Sequence, residues 1–251
     1  MNPWLIGVPA VVAAAAGLTA YASIHPRSDL FGAGIHFTFS PKKLAITFDD
    51  GPNPSITPKL LDLLEDNNAL ATFFVIGKFV REAPDLVREI VARGHSIGNH
   101  TETHPNLFFA SPSHVREELE NCNGAIAELI GATPRWFRPP FGLRNPWVIP
   151  TATRLGMQAV MWTLIPGDWQ SRPAEWLIPR METISRRASS NSDGTGKSHR
   201  GAVGDILCLH DGYHVHQNGD RRATLTALEY WLPRWRDLGL EFATIDEAIK
   251  P

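Results

Sequence analysis

The sequence predicts an α/β fold in which short parallel strands alternate with longer crossover helices and close, or nearly close, into a barrel. Short apolar runs recur along the chain, separated by amphipathic stretches long enough to return over a sheet. The chain has 251 residues, of which 43% are hydrophobic, so it can build one large core. Polar residues stand directly after several apolar runs, where catalytic groups lie on barrels of this kind.

The first elements of the predicted barrel are the clearest. Residues 44–48 form an apolar run that is typical of a buried strand, and residues 71–76 form the next one. Between them, residues 57–67 have helical periodicity, and Pro58 suits the first turn of a helix because no amide hydrogen is needed there. This order indicates a parallel strand pair with a crossover helix.

The same alternation continues to the C-terminal end of the chain. Further strands are predicted at residues 95–97, 135–138, 157–162, 205–209 and 240–243. Further helices are predicted at residues 84–92, 113–130, 173–188 and 224–238. Because the chain shows no internal repeat, these units favour a single barrel.

An apolar segment precedes this domain. Residues 1–24 contain no charged side chain, and residues 4–22 are apolar and alanine-rich over a length that can cross a bilayer as a helix. We therefore predict a membrane-anchor helix or a signal peptide. An A-x-A-like site at residues 20–22 favours cleavage, whereas the missing Lys or Arg ahead of it opposes a standard secretory signal. A helix packed on the domain is the weaker alternative.

These features divide the chain into three parts. Residues 25–40 are predicted to be a linker, and residues 41–251 are predicted to be the catalytic domain. This order places the protein at the membrane through its N-terminal helix, or secreted, and in either case in the cell envelope outside the cytoplasm. The sequence does not indicate an oligomeric state.

Charge and cysteine content exclude other classes. The formal net charge of -2 and the absence of a long Lys/Arg run give no electrostatic footprint for nucleic acid. Cys122 and Cys208 lack the spacing of a thiolate metal site, and two reduced, buried thiols are expected.

Two adjacent acids end the predicted strand at residues 44–48. Side chains alternate along an extended backbone, so Asp49 and Asp50 cannot point at one atom from the same face. Different roles are natural, one carboxylate binding a metal ion while its neighbour accepts a proton. The alternative is a turn in which one Asp caps the following helix and the other is solvated.

Two histidines follow the predicted strand at residues 95–97. The spacing of His100 and His104 lets both imidazoles reach one ion from a single helical turn or a tight loop, and Pro105 keeps His104 out of a helix interior. Such a pair is often accidental, but the strand-end acids upstream favour a metal site. One or two carboxylate oxygens with two imidazoles suit zinc, with cobalt or nickel as alternatives, better than magnesium or calcium.

Other motifs offer a cation, an amide and an acid. Arg138 precedes two prolines and could orient the free carboxylate, and the amide of Phe141 could point at a developing oxyanion. The alternative is an ordinary proline-rich loop.

His210 ends an apolar run and can donate a proton near neutral pH. Asp168 could hold that imidazole in one tautomer, and Trp169 could wall a small apolar group, unless the pair is a buried Trp with a capping Asp.

Taken together, these motifs resemble a known family. The segments are residues 47–52, 100–104, 138–142, 168–169 and 209–210. In this order they are similar to the five motifs of the polysaccharide deacetylases of the NodB-homology type, carbohydrate esterase family 4, and the resemblance spans residues 44–249. It implies a distorted (β/α) barrel with a metal ion in a groove at its top.

The resemblance also implies roles for single residues. The implied metal ligands are Asp50, His100 and His104. The implied catalytic groups are Asp49 as general base, Arg138 steadying it, His210 as general acid and Asp168 tuning that histidine. Phe141, Trp169 and Leu209 would contact substrate. Family members often carry an acidic residue where this chain has residues 165–167, so the tuning of His210 would rest on Asp168 alone.

The predicted function is therefore a metal-dependent hydrolase that removes N-acetyl groups from glycans containing N-acetylglucosamine, such as peptidoglycan or chitooligosaccharide. The alternatives are an O-acetyl esterase acting on a polysaccharide such as xylan, and a non-catalytic, membrane-tethered module that binds glycans. A glycosidase is disfavoured because adjacent carboxylates on one strand do not bracket a glycosidic bond.

Overall fold

The computed structural model describes residues 4–192 and 203–250, and the strands in these residues form one parallel sheet. The strands are β1 (Gly34–Ile35), β2 (Lys43–Gly51), β3 (Ala71–Val75), β4 (Ser96–Asn99), β5 (Trp136–Phe137), β6 (Gln158–Val160), β7 (Asp205–His210) and β8 (Glu241–Phe242). Their order along the sheet is β1, β6, β5, β4, β3, β2 and β7, and β8 pairs with the start of β2. Each pairing is parallel, as predicted.

The two ends of the sheet approach each other and make it a distorted barrel. Beyond β6, the chain runs alongside β7, and the amide of Thr163 donates to the carbonyl of Ile206 at 2.9 Å. The amide of Cys208 donates to the carbonyl of Leu164, also at 2.9 Å. The predicted barrel architecture is therefore confirmed, with the last seam closed by two residues instead of a full strand.

Helices surround the sheet and are delimited by local sequence. They are α1 (Trp4–Ile24), α2 (Thr57–Asp66), α3 (Gly77–Glu82), α4 (Pro84–Ala92), α5 (Pro112–Ile130), α6 (Val148–Arg154), α7 (Ala174–Ser192), α8 (Arg222–Asp237) and α9 (Ile245–Ala248). The long α5 shows why its bounds are sharp. The side chain of Ser111 accepts a hydrogen bond from the amide of His114, and Gly131 ends the helix with a φ of 71°.

Alternation along the central strands sorts side chains between two faces. On β2, Leu44, Ile46 and Phe48 belong to the hydrophobic cluster that packs against the helices, and Leu207 and Leu209 do the same on β7. The opposite face lines the barrel interior, where apolar residues form the floor. The register pairs on this face, in rising order, are Ala45 with Ile206, Thr47 with Cys208, and Asp49 with His210.

The structure contains elements that the sequence pattern did not reveal. The helices α3, α6 and α9 have only 6, 7 and 4 residues, too few for an apolar stripe to repeat. The segment predicted as a linker, residues 25–40, contributes β1, which adds a strand beside β6. A two-residue strand gives no alternation to detect, so its position depends on the sheet edge that receives it.

The apolar N-terminal stretch forms α1. Residues 1–3 and the side chains up to residue 12, with that of residue 14, lie outside the described part of the chain, and the predicted anchor or signal segment falls largely on them. Within the described residues, no helix combines the length and the apolar character needed to span a bilayer.

Candidate active site

The carboxyl ends of β2 and β7 place both acids of the Asp49-Asp50 pair in one pocket. Asp49 pairs with His210 on β7, and the register with β3 shifts between Asp49 and Gly51, which marks a bulge. Asp50 lies within this bulge with a φ of 71°. Strict alternation would turn the two carboxylates apart, but the left-handed residue turns the second one back. Both carboxylates consequently line the same pocket.

Asp50 and the two predicted histidines converge. The Oδ1 atom of Asp50 lies 3.2 Å from Nε2 of His104 and 3.5 Å from Nε2 of His100. Neighbouring ligand atoms held about 2 Å from one ion lie roughly 3 Å apart, so this spacing suits a shared cation. In addition, Oδ1 is buried without a hydrogen-bond partner among the described residues. The residues therefore fit a divalent metal ion.

The protonation of this cluster also suits a metal ion. Burial alone would raise the pKa of Asp50, but its close contacts with the imidazoles of His100 and His104, with the charge of His210, hold that pKa well below its usual value. Burial lowers the pKa of His104 to about 4, although the nearby carboxylate of Asp50 opposes this shift. A negative carboxylate and a neutral imidazole are the forms that bind metal ions.

Loop contacts orient the ring of His100 and fix the backbone of His104. Nδ1 of His100 lies 2.8 Å from the carbonyl oxygen of Arg138, so it donates there and turns Nε2 toward Asp50. The hydroxyl of Thr101 accepts a hydrogen bond from the amide of His104 at 3.0 Å. His104 has a φ of 61°, so the pair converges from a tight loop, one of the two geometries that its spacing allowed.

Asp49 is held from inside the barrel. Nη1 of Arg138 donates to Oδ1 of Asp49 and to the hydroxyl of Thr47, both at 2.7 Å. Arg138 is completely buried, and its other donors reach the carbonyls of Val160 and Met161. Because β4 and β3 separate β5 from β2 in the sheet, this ion pair crosses the interior. Arg138 is therefore not the surface arginine of an ordinary loop.

His210 is held by a second acid. Nδ1 of His210 lies 2.9 Å from Oδ1 of Asp168, and the amide of His210 donates to Oδ2 of the same carboxylate at 2.7 Å. Burial by itself would lower the pKa of His210, but the charge and hydrogen bond of Asp168, with the charges of Asp50 and Asp49, raise it to about 9. The ring of Trp169 meets the imidazole edge-on at 5.6 Å. His210 is thus protonated at neutral pH.

These groups open into a pocket of about 290 Å³, near the lower end of the range for small-ligand sites. Predicted site residues that line it are Asp49, Asp50, His100, His104, Phe141, Trp169 and His210. The ring of Phe141 is half-exposed, and its amide has no acceptor among the described residues. That amide is available to a ligand.

Leu209 is the predicted site residue that the structure places elsewhere. Its side chain is fully buried in the cluster between sheet and helices and does not line the pocket. The physical reason is strand alternation, since His210 faces the interior and its neighbour on β7 must face the opposite way. Trp162 and Ile165 line the pocket with Trp169 instead.

Two functional candidates were missed from the sequence. His214, interpreted there as a plain loop residue, has Nδ1 at 3.9 Å from Oδ2 of Asp50. Its separation from His210 equals that of His100 and His104, which was an available signal. Cys208 is a free, buried thiol, as expected, and its Sγ lies 3.3 Å from Oδ2 of Asp49. The period of two along β7 could have placed it beside the site.

Backbone strain is concentrated at the pocket. Among the described residues, five other than glycine have a positive φ, and Asp50, Thr101, His104 and Phe141 are four of them. A left-handed conformation costs such a residue about 1 kcal/mol or more. Strain of this kind persists where the surrounding structure fixes a residue for function, and three of these four side chains line the pocket.

Comparisons with known proteins agree with this geometry. The family model of polysaccharide deacetylases matches residues 37–160. The chain is 38% identical over 210 residues to a peptidoglycan-N-acetylglucosamine deacetylase of Bacillus cereus, covering 83% of this chain and 89% of that protein. It is 34% identical over 207 residues to a chitooligosaccharide deacetylase of a Bradyrhizobium species, covering 80% and 87% of the two chains.

Solved structures share the fold. A peptidoglycan N-acetylglucosamine deacetylase bound to a hydroxamate-type benzamide superposes with a TM-score of 0.71 at 27% identity, over 86% of this chain and 92% of that one. A CE4 family pseudoenzyme from Bacillus anthracis has the same TM-score at 26% identity, over 87% and 69% of the two chains. Since a pseudoenzyme shares this fold, activity depends on the site residues.

Proposed function

Because this chain belongs to the polysaccharide deacetylase family, we propose that it hydrolyses N-acetyl groups from glycans containing N-acetylglucosamine, such as peptidoglycan or chitooligosaccharide. The observation that carries the proposal is the arrangement of two charged pairs around one cation site. Asp49, paired with Arg138, and His210, paired with Asp168, line the pocket that also contains Asp50, His100 and His104.

The cation would be held by Asp50, His100 and His104, and we propose zinc, because two imidazoles with one carboxylate suit it. The chemistry that such an ion supplies when bound is the acidification of water and the polarisation of the acetyl carbonyl. The unpaired Oδ1 atom of Asp50 supports this assignment, because a buried carboxylate oxygen without a donor is costly unless a cation satisfies it.

Two proton transfers are assigned to the flanking groups. Asp49 accepts the proton of the attacking water, and its pairing with Arg138 holds the carboxylate in position. His210, protonated at neutral pH, donates a proton to the departing nitrogen, which is required because an amide anion is a very poor leaving group. A carboxylate oxygen of Asp49 and an imidazole nitrogen of His210 lie within 4.8 Å of each other, so both side chains can reach the same acetamide group of a substrate.

The acetyl group is placed by the pocket walls. Trp169 and Ile165 offer apolar surface, and the free amide of Phe141 can donate to the oxygen that becomes negative during attack. A single preformed donor of this kind contributes roughly 3 kcal/mol to transition-state stabilisation.

The test is acetate release by the purified full chain with zinc, using chitooligosaccharide, peptidoglycan and acetylated xylan as substrates. We expect release from the first two, abolished by a chelator and restored by zinc. Asp49→Asn should lose at least about a hundredfold in rate, because it removes the general base. Its zinc affinity should stay close to that of the unchanged protein, since Asp49 is outside the ligand set.

A matched control separates chemistry from folding. Asp66→Asn changes an exposed aspartate at the end of α2 and should leave acetate release unchanged. Full activity in Asp49→Asn, or undiminished release after chelation, would sink the proposal. Release from acetylated xylan alone would replace it by an O-acetyl esterase, and tight glycan binding without release would indicate a binding module.

We also propose that the catalytic domain acts at the membrane or outside the cytoplasm. This rests on the uncharged stretch of residues 1–24, and on the exposure of Leu18, Tyr21 and Ile24, each more than half accessible. Fractionation of producing cells tests it, with recovery of the full chain in the soluble cytoplasmic fraction as the contrary result.

A further inference from the structure

The loop that follows β7 brings a third imidazole to the cation site. Nδ1 of His214 lies 3.9 Å from Oδ2 of Asp50. Ligand atoms of Asp50, His104 and His214 all lie within 4.8 Å of one another. The imidazoles of His214 and His104 stack with ring centres 4.6 Å apart and an angle of 23° between their planes.

Nothing else in the described residues accounts for the ring nitrogens of His214. Neither nitrogen has a hydrogen-bond partner among these residues, whereas His100 and His210 each use Nδ1 in a strong contact. The side chain is 32% accessible, so the ring is neither buried in a core nor directed into bulk solvent. The ring packs against Phe141 and Tyr213 as well as His104, and its Nδ1 atom faces the carboxylate of Asp50.

The backbone of this loop is fixed in place. Nζ of Lys78 donates to the carbonyl of His214 at 2.8 Å. The side-chain amide of Asn53 donates to the carbonyls of Asp211 and Gly219, both at 2.9 Å, and so ties together the two ends of the loop. His214 therefore faces Asp50 because of a built loop, and its ring has only side-chain rotation left.

From these contacts we propose that His214 is a fourth side-chain ligand of the divalent cation held by Asp50, His100 and His104. This inference rests on the proposed function in one respect, because both use the same metal site. A catalytic ion keeps a position for water, so a set of four side chains requires an ion that accepts five or six ligands. A third imidazole also favours cobalt, nickel and zinc over magnesium and calcium.

Metal binding without substrate tests this directly. The full chain is stripped of metal, zinc affinity is measured by competition with a chromophoric chelator, and the visible absorption of the cobalt-loaded protein reports its coordination. His214→Ala should weaken zinc binding at least about tenfold and change the cobalt spectrum, as expected when one imidazole leaves. His216→Ala removes an exposed histidine of the same loop and should bind zinc within about twofold of the unchanged protein.

A second variant separates ligation from stacking. His214→Phe keeps an aromatic ring against His104 but has no ligand atom, so it should lose affinity as His214→Ala does. Unchanged zinc affinity and cobalt spectrum in both variants would overturn the inference. Recovery of affinity in His214→Phe would overturn it too, since the ring would then act by packing. Acetate release by the unchanged protein is measured separately, so a failure of the proposed function can be distinguished from a failure of the inference about His214.

Discussion

Two histidines in the same pocket are driven to opposite protonation states by their neighbours. Burial dominates at His104 and lowers its pKa to about 4, so this imidazole is neutral and can bind a cation at pH 7. At His210 the carboxylate of Asp168 outweighs burial and raises the pKa to about 9, so this imidazole is a proton donor at the same pH. Residue type alone therefore does not decide the role.

Replacing Asp168 should move the alkaline limit of activity. Because the folded pKa of His210 is raised, the protonated acid is present at neutral pH and is lost as pH rises through about 9. Asp168→Asn removes the main stabilising charge, so the alkaline limb of the kcat profile should shift to lower pH.

The pH profile of acetate release from chitooligosaccharide between pH 6 and 10 gives this measurement. The exposed control Asp66→Asn should retain the original limb. An alkaline limb in Asp168→Asn that coincides with that of the unchanged protein would refute the assignment of His210 as the general acid.

At the level of secondary structure, the ends of β2 and β7 lock together to present the two acids. The amides of Asp211 and Gly212 donate to the carbonyl of Asp49 at 3.2 and 3.4 Å. Gly212 is required for this approach, because a Cβ atom there would lie 2.0 Å from the carbonyl oxygen of Asp50. Backbone cannot yield as a flexible side chain does, so the bulge at Asp50 depends on this glycine.

Gly212→Ala should therefore destabilise the protein and disturb its cation site. We expect a loss of roughly 2–3 kcal/mol, since overpacking against backbone forces the strand ends apart. Thermal unfolding should show a midpoint about 5–10 °C lower for a chain of this length. Zinc affinity should fall as well, because Asp50 is displaced.

The matched control for this change is Gly124→Ala. Gly124 is an exposed residue within α5, and an added Cβ there meets no atom within 4 Å. That variant should gain about 0.5–1 kcal/mol from helix propensity. Equal stability of Gly212→Ala and the unchanged protein would contradict the role given to the strand-end contact.

The complete fold also ties the N-terminal segment to the pocket through one buried arginine. Arg144 is fully buried, and its guanidinium donates to the carbonyls of Gly142, His25 and Ser28. Its amide donates to the carbonyl of Ser23 at 3.2 Å. The end of α1 is thereby joined to the loop that carries Phe141, so the segment predicted as a linker is part of the packed structure.

Arg144→Ala should release that segment. The freed carbonyls lose charge-assisted donors worth about 1.5–3 kcal/mol each. Hydrogen exchange at residues 23–28 should become at least about tenfold faster, because local opening costs less, while exchange in α5 stays unchanged. Acetate release should also decrease, because Arg144 no longer holds the loop that carries Phe141.

Arg154→Ala provides the comparison, since the side chain of this exposed arginine of α6 donates, within residues 4–192 and 203–250, to the hydroxyl of Thr151 alone. It should leave the exchange of residues 23–28 unaltered. Protection of these residues in Arg144→Ala equal to that in the unchanged protein would show that the tie is not needed.

Local sequence determined much of this protein. The apolar runs predicted most strands and long helices, and the alternation of the two gave the parallel barrel. The spacing of His100 and His104 predicted a metal site, the motif resemblance implied Asp50 as the third ligand, and the structure brings the three side chains together. Short elements such as α6 were missed because seven residues, about two turns, are too few for an apolar stripe to repeat.

The amino-acid sequence by itself determines which residues follow each strand, because covalent bonds fix the order of residues. Only the tertiary structure decided which way their side chains face, because orientation depends on neighbours distant in sequence. The bulge stabilised by Gly212 turns Asp50 into the pocket against simple alternation. The loop held by Asn53 brings His214 toward the same pocket. These outcomes follow from packing and long-range hydrogen bonds.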